Sequence, residues 1–355
     1  MSPARGPSTR AVHAGLPPAQ QGGPFLPGPV FASAFHLSGD KDAAPYGYAR
    51  YGSPTWTHYE HALGELEGGE SVVFASGMAA VAAVLLPALQ AGDMLVAPSD
   101  AYPGVRAIAT EHLEPRGVDV RLVPTDEAAV RAALPGASMV WIETPSNPGL
   151  DVLDVAALAR ATHDAGANLV VDNTLATPVV QQPLALGADV SVCSGSKHLS
   201  GHSDLILGHV AVNDPARAEA LRAWRGLTGA IPGPFEVWLA HRSLATVAVR
   251  LERQAATALG LVRLLAGRPE VTGVRYPGVG TVVCFELADE SAAQSFLARL
   301  ELVTEATSFG GVHSSAERRG RWGTDAVSGG FIRFSCGIED TADLLADVAR
   351  ALDTA

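Results

Sequence analysis

Several apolar segments of the 355-residue sequence are followed at once by residues that can do chemistry. Lys197 lies among serine hydroxyls after one apolar run, and Asp172 follows another. A third run leads into Ser76, Gly77 and Met78, a small-residue turn that opens a helix and points backbone N–H groups at any anion placed there. An imine-forming amine, a carboxylate that can keep a pyridine nitrogen protonated and an anion site are together what an enzyme using pyridoxal phosphate requires.

A sheet of buried strands must position these residues. From about Thr55 the sequence alternates short apolar runs with helical segments, which is typical of a parallel sheet covered by helices on both faces. Ligands of such sheets bind outside the carboxyl ends of the strands, where the residues above lie. The predicted strands are 72–75, 94–97, 118–123, 139–142, 169–171, 190–193 and 209–212.

The sequence divides into three predicted parts. Residues 1–45 are rich in proline and predict an extended arm that contacts a neighbouring subunit. Residues 46–245 predict the large α/β domain. Residues 246–355 predict a smaller α+β domain, and one long helical stretch through Leu265, begun near Pro232, leads into it.

Composition excludes several classes of protein. The net charge is −12 and no run of Lys or Arg occurs, which disfavours nucleic acid or an anionic membrane as a partner. Three widely spaced cysteines and a leader without a signal-peptide apolar stretch favour a soluble protein of the reducing cytoplasm. No second cluster of Cys or Asp supplies the remaining ligands for a metal at His198, His202 and His209, so structural roles for these histidines and no metal are expected.

Four motifs resemble those of the Cys/Met-metabolism family of pyridoxal-phosphate enzymes, the trans-sulfuration enzymes such as cystathionine γ-lyase and cystathionine γ-synthase. They are FASGMAA (74–80), ETPSNP (143–148), VVDNTLATP (170–178) and SGSKHLSGHSD (194–204). The resemblance covers nearly the whole chain. It implies the fold type I of aspartate aminotransferase-like enzymes, with a mostly parallel central sheet and a smaller C-terminal α+β domain.

The resemblance also implies roles for the residues around the cofactor. Lys197 would carry the cofactor and Asp172 would bind its pyridine nitrogen. Tyr102 would stack on the ring, although AYPGV here replaces a usual YGGT or YGCT. The phosphate would be held by the turn at Ser76, Gly77 and Met78 and by Ser194 and Ser196, and Asn147 would lie near the phenolic oxygen.

The remaining motifs imply substrate and subunit contacts. FIRFSCGIED (331–340) assigns Arg333 to the substrate α-carboxylate, and TSFGG (307–311) places Ser308 in the same pocket, which Asn147 borders. Tyr48 and Arg50, in YGYARYGSPT (46–55), would reach the phosphate of the neighbouring subunit's cofactor. A homodimer is then the smallest working unit, and a homotetramer is the usual assembly.

The implied reaction is γ-elimination on a sulfur-containing amino acid, with Lys197 moving protons and Tyr102 acting as an acid or base. Gly104, where methionine γ-lyases tend to carry Cys, disfavours that activity, and Thr307 stands where a Glu is frequent. A short connection at 278–282 and an unusual stretch at 312–330 also depart from the family pattern, and both are expected to border the substrate side, which leaves a specialised substrate as a further alternative. γ-Replacement and a non-catalytic binding protein of the same fold remain the alternatives.

Overall fold

A seven-stranded sheet carries most of the predicted site residues in the computed structural model, which describes residues 5–353. Its strand order is β1-β7-β6-β5-β4-β2-β3, and only β7 runs antiparallel to its neighbours. Each of the seven predicted apolar runs forms one strand. The strands are β1 Glu70–Phe74, β2 Met94–Pro98, β3 Asp119–Val123, β4 Met139–Glu143, β5 Asn168–Asp172, β6 Val190–Cys193 and β7 Gly208–Val212.

Helices cover both faces of this sheet because its central strands are apolar on both sides. In β4, Trp141 packs into the core on one face, while Val140 and Ile142 pack into the core on the other. The helices in this part of the chain are α1 Pro7–His13, α2 Pro54–Glu67, α3 Gly77–Ala88, α4 Pro103–Ala107, α5 Glu127–Ala133, α6 Val155–Asp164, α7 Thr177–Val180, α8 Pro215–Thr228 and α9 Pro234–Leu244.

A second sheet of five strands follows in the chain, in the order β10-β11-β12-β9-β8. Strands β11 and β12 pair antiparallel and place Glu317 opposite Arg333. The strands are β8 Thr272–Arg275, β9 Val282–Glu286, β10 Thr304–Glu305, β11 Ser315–Arg318 and β12 Phe331–Ser335, and the helices are α10 Val247–Ala266, α11 Glu290–Arg299 and α12 Thr341–Asp353. The predicted α/β class, with a mostly parallel sheet and a smaller sheet after it, is confirmed.

Two local predictions were wrong. The single helical stretch through Leu265 is interrupted, because Thr246 bonds back to the carbonyl of Ser243 with both its amide and its hydroxyl and so ends α9 before α10 begins. The predicted extended arm contains α1, whose Pro7 occupies a first-turn position where a missing N–H costs nothing. The predicted domain boundary at 245 and 246 falls at the interruption and remains a prediction.

The first part of the arm packs on its own chain. Arg10 donates to the carbonyl of Glu65, and the ring of His241 bonds the carbonyl of Ala14 at 2.9 Å. Further along, Phe25 and Phe31 are 93% and 72% exposed. The arm therefore has an anchored beginning and a middle that leaves large apolar side chains uncovered by this chain.

Candidate active site

A cavity of 440 Å³ lies between the carboxyl ends of β1, β4, β5 and β6 and a segment of the second sheet. The strand-end placement expected for a parallel sheet is therefore what the structure has. Eleven of the thirteen predicted site residues line this one cavity: Ser76, Gly77, Met78, Tyr102, Asn147, Asp172, Ser194, Ser196, Lys197, Ser308 and Arg333.

Lys197 lies in the turn after β6 and reaches across the cavity. Its Nζ donates to the Ser308 hydroxyl at 2.8 Å and lies 5.4 Å from the centre of the Phe309 ring. Burial lowers the pKa of this amine, and the nearby Arg333 guanidinium lowers it further. A lowered pKa makes the neutral, nucleophilic amine easier to reach at neutral pH.

Asp172 ends β5 and lies directly beside Glu143, the last residue of β4. Oδ1 of Asp172 accepts from the amide of Thr174 at 2.9 Å, and burial nevertheless raises the pKa of the carboxyl. Burial and the adjacent Asp172 raise the pKa of Glu143 to about 8. Glu143 therefore holds its proton at neutral pH.

The beginning of α3 forms an anion cradle at the end of β1. The Ser76 hydroxyl accepts from Ala79, and the first intrahelical bond runs from Ala80 to the Ser76 carbonyl, so the amides of Gly77 and Met78 precede the helical ladder. A β-carbon at Gly77 would lie 3.0 Å from the Cβ of Ser194. A side chain at position 77 would therefore crowd the turn after β6, which glycine lets approach closely.

Ser194 and Ser196, whose hydroxyls are expected at the phosphate, have different hydrogen-bond partners. The amide of Ser194 bonds the Thr174 hydroxyl at 2.8 Å, which fixes the turn. The Ser196 hydroxyl both donates to the carbonyl of Leu207 and accepts from its amide. Both serines line the cavity, and their contact with a phosphate remains a prediction.

Tyr102 precedes α4 at the mouth of the cavity. Its amide donates to Oε1 of Glu143 at 2.8 Å, and its side chain is 47% exposed. The protonated carboxyl of Glu143 thus ties the tyrosine loop to the strand end beside Asp172. Glu143 was not predicted as a site residue, although it opens the ETPSNP motif.

The opposite wall is built around Arg333, which is 4% exposed. Its Nη1 donates to Oδ1 of Asn147 at 2.6 Å, and its Nη2 donates to the Ser308 carbonyl at 3.2 Å and pairs with Glu317. Ser308 has a φ of +84°, a strained conformation for a residue with a side chain. Strain of this kind is found where surrounding contacts fix a functional loop.

Three further residues of this wall were not predicted as site residues. They are Thr307, Phe309 and Arg319, and all of them line the cavity. Thr307 and Phe309 flank Ser308 within the quoted TSFGG motif, so proximity to Ser308 was an available signal. Arg319 comes from the unusual stretch at 312–330, where no motif indicated a cavity position.

Tyr48 and Arg50 lie away from this cavity. Arg50 donates to the carbonyl of Gly226 at 3.2 Å, and its guanidinium lies 4.8 Å from the centre of the Tyr51 ring. Arg50 borders a separate groove of 1110 Å³ beside α3 and α8. Within one chain, the structure does not bring these two residues to the other eleven.

Within residues 5–353, no group of three or more His, Cys, Asp and Glu side chains has a geometry that could hold a metal ion. His198 bonds the Thr281 hydroxyl, and burial lowers the pKa of its ring to about 4. His209 is buried against Glu67 at 2.7 Å. None of the helices described there is long and apolar enough to cross a bilayer.

The residues present fit pyridoxal phosphate. The cavity offers helix-start amides that precede the helical ladder beside a glycine, a half-buried carboxylate at the end of β5, and a lysine with a lowered pKa. These groups match a phosphate, a pyridine nitrogen and an aldehyde, respectively.

The chain is similar to several known proteins over nearly its whole length. A Streptomyces coelicolor protein provisionally named cystathionine gamma-lyase is 53% identical over 371 residues, covering 99% of this chain and 94% of the relative. The cystathionine gamma-synthase of Mycobacterium tuberculosis is 36% identical over 378 residues, covering 98% and 97%. The crystal structure of metB from Corynebacterium glutamicum has a TM-score of 0.95 at 35% identity, covering 99% and 98%.

The family model described as Cys/Met metabolism PLP-dependent enzyme matches residues 8–353. The expected cofactor and enzyme class are confirmed by this match. The chain belongs to the Cys/Met metabolism family of pyridoxal-phosphate-dependent enzymes, which act on sulfur amino acids.

Proposed function

We propose that this enzyme catalyses γ-elimination on a sulfur-containing amino acid. With cystathionine and water, the products would be cysteine, 2-oxobutanoate and ammonia. The observation that carries the proposal is the position of the Lys197 amine, which shares one cavity with Asp172 and bonds Ser308 beside Arg333. When bound, pyridoxal phosphate supplies an electron-accepting ring that stabilises negative charge developing at Cα and Cβ of the substrate.

Lys197 would move the protons. Its free amine would take the proton from Cα and then move a proton at Cβ, so that sulfur can leave from Cγ. Its lowered pKa suits both tasks, because an effective base at neutral pH must not hold its proton too tightly. Asp172 would remain ionised and hold the pyridine nitrogen in its protonated form.

Arg333 would orient the substrate through its α-carboxylate. A planar guanidinium can form two parallel bonds to a carboxylate, which fixes the Cα–H bond relative to the cofactor ring. Asn147 and Ser308 hold the guanidinium in place from two sides. Tyr102, half-exposed at the mouth, would stack on the ring and serve as an acid or base for the substrate amine or the leaving sulfur.

γ-Replacement is the second candidate. The 36% identity to a cystathionine gamma-synthase favours it, whereas the 53% identity to a relative provisionally named as a lyase favours elimination. In replacement, a thiol such as cysteine would take the place of the leaving group at Cγ. A non-catalytic protein of this fold would have no need for a lysine and an arginine that converge on one substrate position.

We propose that the working unit is a homodimer, and that a homotetramer forms from it. Tyr48 and Arg50 are absent from the cavity of their own chain, and Tyr48 and Tyr51 are 47% and 63% exposed beside a large groove. In the dimer, Tyr48 and Arg50 would contact the phosphate of the partner's cofactor.

The three cysteines are buried and unpaired, which supports location in a reducing cytoplasm.

The test is incubation of the purified holoenzyme with cystathionine, homocysteine, and O-acylhomoserine plus cysteine. Elimination predicts 2-oxobutanoate and ammonia from cystathionine in the absence of any added thiol. Formation of cystathionine from O-acylhomoserine and cysteine, without 2-oxobutanoate from cystathionine, would establish replacement. A cofactor spectrum that no γ-substituted amino acid changes would refute both reactions.

A further inference from the structure

Arg333, in the cavity wall formed by residues 307–333, is paired with a buried carboxylate. Glu317, 1% exposed and opposite Arg333 across two strands, pairs with its Nη2. The same oxygen, Oε1, also accepts from Nη1 of Arg319 at 2.9 Å, while Oε2 accepts from the indole of Trp322 at 3.0 Å. One carboxylate is thus shared between two guanidinium groups and fixed at both of its oxygens.

Arg319 has a carboxylate partner of its own. Its Nε and Nη2 lie 2.8 and 2.5 Å from Oδ2 of Asp325, and the side chains of Arg319 and Asp325 are 8% and 3% exposed. The carbonyl of Thr324, next in the chain, accepts from Nη2 of Arg106 on α4 at 2.7 Å. The segment that holds Arg319 is therefore tied to the helix that Tyr102 precedes.

The donors of Arg333 are largely committed before a substrate binds. Nη1 bonds Asn147, and Nη2 bonds both the Ser308 carbonyl and Glu317. A substrate carboxylate must compete for this guanidinium, and Glu317 is its strongest competitor because it carries a full charge. Sharing Glu317 with Arg319 divides that charge and weakens its hold on Arg333.

We propose that Arg319 is a positioning residue which, through Glu317, sets how tightly Arg333 binds the α-carboxylate of the substrate. The inference rests on the proposed role of Arg333. It gives the unusual stretch at 312–330 a task, since that stretch supplies Arg319, Trp322 and Asp325 together. Without Arg319, Glu317 would belong to Arg333 alone and would exclude the substrate carboxylate more strongly.

The experiment compares L-alanine with ethylamine, the same amine without a carboxylate, by titrating the holoenzyme and following the cofactor absorbance. Arg319→Gln should raise the apparent Kd for L-alanine about tenfold, equivalent to about 1.4 kcal/mol, and leave that for ethylamine within twofold. Arg321→Gln is the matched control, because Arg321 lies in the same turn but pairs with the exposed Glu305. It should change neither Kd.

Arg319→Gln leaves Asp325 buried without its partner and can destabilise the fold. The double variant Arg319→Gln/Asp325→Asn removes both charges, so that no buried carboxylate is left without a partner, and should show the same selective loss of L-alanine affinity. A folded, cofactor-loaded double variant with an unchanged Kd for L-alanine, or with equal losses for both amines, overturns the inference. Neither result requires turnover, so a failure of γ-elimination would be seen separately, in the product assay with cystathionine.

Discussion

The two walls of the cavity depend on different structural features: strand ends form one wall, and pairing between strands forms the other. The cofactor wall consists of the ends of β1, β4, β5 and β6, and each of its residues directly follows an apolar run of the sequence. The substrate wall, residues 307–333, depends on pairing between β11 and β12, which places Glu317 against Arg333. A site whose residues follow their own strands can be predicted locally, whereas a site made by cross-strand pairing depends on the tertiary structure.

Lys197→Ala tests the cofactor wall with the largest expected effect. Without the amine, no group at this strand end can move protons at Cα and Cβ, and we expect kcat with cystathionine to fall by at least about 10³-fold. The absorbance of the bound cofactor should change as well. Lys41→Ala, at the only other lysine of the sequence, is the control and should keep both properties.

Asp172→Asn should come next in size. A neutral amide cannot stabilise a protonated pyridine nitrogen, so kcat should fall roughly 10²-fold with little change in KM. Steady-state kinetics with the purified variant measures this split. A rise in KM with an unchanged kcat would instead place Asp172 in the substrate wall and undo the division between the walls.

Arg333→Gln tests the substrate wall and should change KM, by a smaller factor than the two substitutions above change kcat. Loss of the charged fork should raise KM about 30-fold, since hydrogen bonds to charged groups contribute about 2 kcal/mol. Arg318→Gln is the control, because Arg318 adjoins Glu317 in β11 but pairs with Glu290. Equal effects of the two substitutions would mean that the loss came from disturbing the small sheet.

Glu143→Gln should have the smallest effect on turnover and should change the pH dependence of stability. The folded-state pKa of Glu143 is raised to about 8, so the folded protein holds a proton that the unfolded chain has lost above pH 4.5. Wild-type stability should therefore fall between about pH 5.5 and 7.5, by up to about 1 kcal/mol per pH unit relative to the Gln variant.

Urea unfolding of both proteins across this range measures the difference. The advantage of the Gln variant should level off above pH 8, once Glu143 ionises in the folded state as well. Parallel stability curves for the two proteins would show that Glu143 carries its charge when folded and that Asp172 is not the only anion of the pair.

Much of the cofactor wall could be predicted from the sequence because its signals are local. Lys197 and Asp172 each follow a strand that was predicted almost to the residue, and the turn at Gly77 is a local motif. Of the substrate wall, only Arg333 and Ser308 were predicted, both by resemblance. Nothing local marks SAER (315–318) as a buried strand, because two of its four residues are charged.

The subunit contacts illustrate a second limit. Tyr48 and Arg50 were assigned to a neighbour's cofactor by resemblance. Within one chain, Arg50 lies against the rings of Tyr48 and Tyr51 and donates to the carbonyl of Gly226. The position of these side chains in a dimer depends on how two subunits pack together, which no local sequence motif indicates. Their role stays a prediction.

Attachment of the cofactor to Lys197 is tested most directly by borohydride reduction of the holoenzyme followed by peptide mass mapping. The sequence has two lysines, Lys41 and Lys197, so the site of covalent attachment can be read without ambiguity. The account predicts that the reduced cofactor is found on the peptide containing Lys197. An adduct on Lys41 alone, or a cofactor that is released intact after reduction, would contradict it.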